Sequence, residues 1–143
     1  MQDKILTLLF INFGSIFLFA MLYLGPFGVM LSDDIEIYHG KNLARHRWKL
    51  SKGNFLSKLL YLEHRKHLVK WHYYLFICFL VSYIAFVVCF NIMIFVFTET
   101  LQTITLILST ICCITVGISF SVRWSLYSGN IVRRRPKKKK KLK

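Results

Sequence analysis

The sequence predicts an all-α integral membrane protein, with three transmembrane helices, a short cytoplasmic amphipathic helix between the first and second, and a disordered basic C-terminal tail. Two observations carry that prediction. Hydrophobic residues make up 55% of the 143, with mean hydropathy +0.49, yet the formal net charge is +14. The two characters are also segregated along the chain. Lys4 is the only Lys or Arg before residue 41, nine more fall between Lys41 and Lys70, and ten lie from Arg123 onward. A soluble domain disperses its charges; long uncharged runs bracketed by basic segments mark a helical membrane protein.

Three runs meet the length requirement: Ile5 to Leu24, extendable to Leu31, then Tyr73 to Phe97, and Leu101 to Val122. Each holds at least about twenty residues, roughly 30 Å as a helix, which matches the hydrocarbon thickness of a bilayer. Strands of this length are rare and no period-two alternation is present, so helix is the reading. The chain thus divides into an N-terminal helix (1–31), a basic cytoplasmic or interfacial segment (32–72), a helical hairpin (73–122) and a polybasic tail (123–143). The first run is too long for a signal-peptide core and no small-x-small site follows it, so it is read as a retained helix. Within "LGPFG" (Leu24 to Gly28), Pro26 lacks an amide donor and crowds the preceding turn, which stops or kinks the helix.

Orientation follows from the cations. The link between the second and third helices, "TETLQ", has no Lys or Arg, whereas both outer ends of the hairpin are basic. The positive-inside rule puts that link outside, the flanks and C-terminus in the cytoplasm, and the N-terminus outside. Trp71 and Trp124, bordering the hairpin, then sit at the cytoplasmic interface, where indoles favour residence. The expected location is a bacterial inner membrane, or the endoplasmic reticulum for a eukaryotic source.

The segment 32–72 holds all five histidines and four of the six acidic residues. "SKGN" (Ser51 to Asn54) reads as a turn with Asn54 as N-cap. Phe55, Leu56, Leu59 and Leu60 then form an apolar stripe opposite Lys58, Glu63, Arg65 and Lys66, the pattern of a basic helix lying on anionic lipid or packing its stripe on the helical bundle. Glu63 with His67, and His64 with His67, have helical spacings that let side chains converge on a divalent metal, with His72 as a further ligand. No H-E-x-x-H accompanies them, so the default account is interfacial histidines among cations, with no metal and no cofactor.

Within the three apolar runs there is no Asp, Glu, Lys, Arg or His. That weighs against a stand-alone pump or an intramembrane protease, whose chemistry uses ionisable residues. Neutral polar residues recur at similar depth: Asn12 about 10 Å from the outer end, Asn91 about 9 Å, and Ser109 and Thr110 about 12–13 Å. They are expected to form a polar layer, with Asn12 and Asn91 facing the bundle interior. Cys78, Cys89, Cys112 and Cys113 lie in apolar runs and read as small packing residues.

The tail carries Arg133, Arg134, Arg135, Lys137, Lys138, Lys139, Lys140 and Lys141. Starting about ten residues from the bilayer, it is expected to contact anionic head groups, along with Lys58, Arg65 and Lys66. Nothing aromatic follows Ile131, so base stacking has no platform and specific nucleic-acid binding is not expected. The functional expectation is a small non-enzymatic subunit, adaptor or regulator of a larger membrane assembly. Its partners are anionic lipid and a membrane protein or a second copy of the chain. The alternatives are an oligomeric channel or transport component, and a membrane enzyme using the His-bearing segment.

Overall fold

A computed structural model of the chain describes residues 2–39, 53–63 and 65–127. The described residues are helical, with turns between helices. α1 covers Gln2–Leu22, a π-type turn covers Tyr23–Phe27, and α2 covers Gly28–His39. α3 is the short helix Phe55–Leu59, a 3-10 turn covers Arg65–His67, α4 is Lys70–Phe95 and α5 is Glu99–Tyr127. Three stretches are long and apolar enough to cross a membrane: Gln2–Ser32, Lys70–Phe95 and Glu99–Trp124.

Of the two outcomes expected at Pro26, the chain takes the kink. Gly25 leaves helical geometry (φ −76°, ψ −107°), and helix resumes at Gly28. Proline cannot supply the missing amide, so the turn widens locally and Gly28 N–H reaches back to Gly25 O. The bend also drives the Tyr23 carbonyl over Gly28. A Cβ on Gly28 would lie 2.6 Å from Tyr23 O, so no larger residue fits without moving backbone.

The kink is where the three long helices meet. Phe27, Met30 and Leu31 beyond it are buried against Phe76 and Phe79 of α4, with Cys112, Val116 and Val122 of α5 packed on the cluster. Stacked and tilted rings tie it together: Phe27 to Phe79 at 4.5 Å, Phe19 to Tyr83 at 5.5 Å and Tyr23 to Phe76 at 5.8 Å. Toward the other end, α1 contributes no buried residue.

α4 and α5 run antiparallel through the short link Val96 to Thr98. Thr98 Oγ1 accepts the Leu101 amide at 3.3 Å and Glu99 sits in the first turn, the two features that favour a helix start there. At their other ends both helices outrun the apolar stretches expected from sequence. α4 begins at Lys70, so Trp71 and His72 are inside it, and α5 continues to Tyr127, past Trp124. A helix has no reason to stop where its hydrophobicity does.

α3 is shorter than the stripe implies. Asn54 precedes it, as expected, in extended geometry (φ −62°, ψ 161°), but its side chain makes no capping bond. The helix ends because Tyr61 adopts φ 55°, which turns its ring into the cluster beside Tyr23 and Phe76. A non-glycine residue there costs roughly 1–2 kcal/mol, offset by burying an aromatic ring. The carbonyls of Leu59 and Leu60, unpaired by such an ending, accept hydrogen bonds from Tyr23 OH (2.9 Å) and Tyr73 OH (3.2 Å).

Candidate functional site

The polar groups that join the helices form two sites. The first lies just past the kink. α2 carries Asp34 to the start of α4, where His72 Nδ1 donates to Asp34 Oδ2 at 2.9 Å. A carboxylate only accepts, so this contact fixes the proton on Nδ1. The same oxygen accepts the Val69 amide at 3.3 Å, one of the orphan donors before the first turn of α4. Both side chains are buried, with Asp34 at 3% exposure, so little water competes for the contact. Trp71 lies edge-on to the His72 ring at 4.2 Å.

This pair settles the geometry of one proposed metal ligand. His72, grouped with Glu63, His64 and His67 from sequence, is instead committed to Asp34, a residue the sequence reading left unassigned. The α-helical spacing assumed for the others is also absent: Glu63 falls in a turn and Arg65–His67 in a 3-10 turn. Glu63 is exposed, with its carboxylate over Gly53, where a Cβ would come within 2.7 Å of Oε1. His64 lies outside the described residues. Among the described residues no three His, Cys, Asp or Glu side chains are grouped to hold a metal.

The second site joins α1 to α4 nearer the other end. Asn12 Nδ2 donates to Asn91 Oδ1 at 2.9 Å, and Asn91 Nδ2 returns a bond to Asn12 Oδ1 at 3.1 Å. Each amide also donates to its own helix, Asn12 to Leu8 O and Asn91 to Val87 O, both at 2.8 Å. The two hydrogens of each NH₂ are therefore both used. Between this clamp and the kink, Tyr83 OH donates to Ser15 O at 2.6 Å.

The third helix does not extend this layer. Ser109 Oγ and Thr110 Oγ1 both donate at 2.9 Å to Leu106 O of α5 itself. The cause is the number of protons. A hydroxyl has one, and the carbonyl three or four residues back takes it; a carboxamide has a second to offer a neighbour. α5 contacts α4 through Ser82 and Cys112 instead, with Oγ and Sγ 3.3 Å apart. The four cysteines are free.

Of the cations named from sequence, Arg65 and Lys66 are exposed and Lys58 is half-buried. The Arg65 guanidinium lies 5.5 Å from the centre of the Tyr73 ring. The tail cations Arg133, Arg134, Arg135 and Lys137 to Lys141 lie outside the described residues.

Three candidate membrane-spanning helices joined by internal polar contacts are consistent with a multi-pass membrane protein. The chain matches no known family model, no curated protein and no solved structure.

Proposed function

We propose that the chain is a small, non-enzymatic multi-pass membrane protein that serves as a subunit, adaptor or regulator of a larger membrane assembly. Its N-terminus and the α4–α5 link face outward. The segment around α3 and the polybasic tail face the cytoplasm and contact anionic head groups.

The observation that carries this reading is how the polar side chains in and beside the spans are used. Asn12, Asn91, Tyr83, Asp34 and His72 each bind one helix to another. Polar groups spent on holding helices together serve architecture. The apolar faces of α1 and α5 remain available: Phe10, Phe13 and Phe17 on one, Leu106, Ile107 and Ile114 on the other. Such faces meet lipid or the helices of a partner, where van der Waals fit and small polar contacts decide association.

Affinity purification of the full chain in mild detergent tests the proposal. A membrane protein recovered at fixed stoichiometry supports it. Repeated recovery of the chain alone, with turnover of a lipid or passage of a solute by the reconstituted protein, would replace it.

A further inference from the structure

We infer that the groove below α3 is a binding site for one acyl chain of an anionic phospholipid, whose head group is held by Lys58 and Arg65. This rests on the proposed cytoplasmic placement of α3 and deepens it from general surface attraction to a defined site.

The groove is open-sided, with a volume of about 470 Å³, within the roughly 300–1,000 Å³ typical of small-molecule sites. Ile16 and Phe19 of α1 form one wall, and Leu80, Ile84 and Val88 of α4 the other. Leu56, Leu59 and Leu60 of the α3 segment complete the lining. From Leu80 to Val88 the wall runs about 12 Å along the helix axis. One leaflet of a hydrocarbon core is about 15 Å deep. The slot therefore has the length and direction of a chain descending from the interface, and its polar lining is confined to groups such as Ser15 and Tyr83, which bond each other through the Ser15 carbonyl.

What distinguishes this slot from ordinary lipid-facing surface is its cationic rim. Lys58, half-buried, precedes the lining residue Leu59 in α3, on the side of that helix away from Leu56 and Leu60. Arg65 is held across Tyr73, whose hydroxyl bonds Leu60 O of the groove lining. No described carboxylate forms an ion pair with either cation. An apolar slot near two cations with no acidic partner among the described residues fits a lipid that seats one fatty tail there and carries a phosphate-bearing head. A second copy of this chain would bring its own cationic α3 to the same rim, which like-charge repulsion disfavours.

Native mass spectrometry of the full chain, released from detergent mixed with phosphatidylglycerol or phosphatidylcholine, tests the assignment. Wild type is expected to retain one phosphatidylglycerol in preference to phosphatidylcholine. Ile84→Trp, which fills the slot, is expected to abolish retention of both; Val88→Phe, farther from α3, serves if that variant does not fold. Each cation beside an anionic head group is worth about fivefold, so Lys58→Gln with Arg65→Gln should lower phosphatidylglycerol retention about 25-fold and leave phosphatidylcholine unchanged. Equal retention of the two lipids, or retention indifferent to the filling substitution, overturns the site. So does a dimer that the filling substitution dissolves, which would assign the groove to a second copy. Failure of membrane placement is read separately, by release of the chain from membranes at alkaline pH.

Discussion

The two ends of the helical bundle differ in construction, and α1, more apolar than α2, is the less packed of the two. At the kink, all three long helices converge on interlocked rings and the buried Asp34–His72 pair. At the other end α1 meets α4 through the carboxamide clamp, and none of the α1 side chains is fully buried. Hydropathy alone, then, does not locate packing. The kink concentrates it, because bending at Gly25 brings Phe27, Met30 and Leu31 against α4 and carries Asp34 to His72.

The largest effect is expected at the buried Asp34–His72 hydrogen bond. Asp34→Leu or His72→Leu alone leaves a buried polar partner stranded and should cost about 3–5 kcal/mol. The double substitution should cost less than the sum, as thermal unfolding in detergent would show. If each single change is nearly neutral, the contrast between the two ends fails. Next is the bend: Gly28→Ala, with Tyr23 O 2.6 Å from the new Cβ, should cost about 1–3 kcal/mol. Gly14→Ala in the open half meets nothing within 4 Å and should be neutral or slightly stabilising.

Asn12→Leu and Asn91→Leu come third, at about 1 kcal/mol each. A double-mutant cycle should show that most of this is shared, because the bonds are reciprocal. The smallest effects belong to α5. Ser109→Ala and Thr110→Val should change stability by less than about 0.5 kcal/mol, since each hydroxyl serves only its own helix. A coupling between Thr110 and Asn91 in the same cycle would restore the three-helix layer expected from sequence.

Much of this architecture was legible in the chain. The three spans follow from runs longer than any soluble strand, and the Asn12–Asn91 clamp from matched depths on antiparallel helices. Two features were hidden for a physical reason. Asp34 sits in "SDDIE", a stretch that reads as solvated, and only continuation of the helix through Pro26 brings it to His72. Proline signals a break in hydrogen bonding but does not say whether the chain beyond it resumes as helix. Tyr61 is the second case. Helical periodicity extends the stripe of α3 past Leu60, while the chain turns left-handed to bury that ring, a tertiary demand with no local signal. The Glu63–His67 convergence weighed from sequence requires an α-helix, whereas residues 65–67 form a 3-10 turn.

The proposed topology has three membrane crossings with the kink end in the cytoplasm. In a variant with its four native cysteines replaced, single cysteines at Gln2, Thr98, Ser51 and Lys143 can be probed with a membrane-impermeant maleimide on intact cells. Gln2→Cys and Thr98→Cys should label from outside, and Ser51→Cys and Lys143→Cys only after permeabilisation. Labelling of Ser51→Cys or Lys143→Cys on intact cells, or protection of Thr98→Cys, would contradict it.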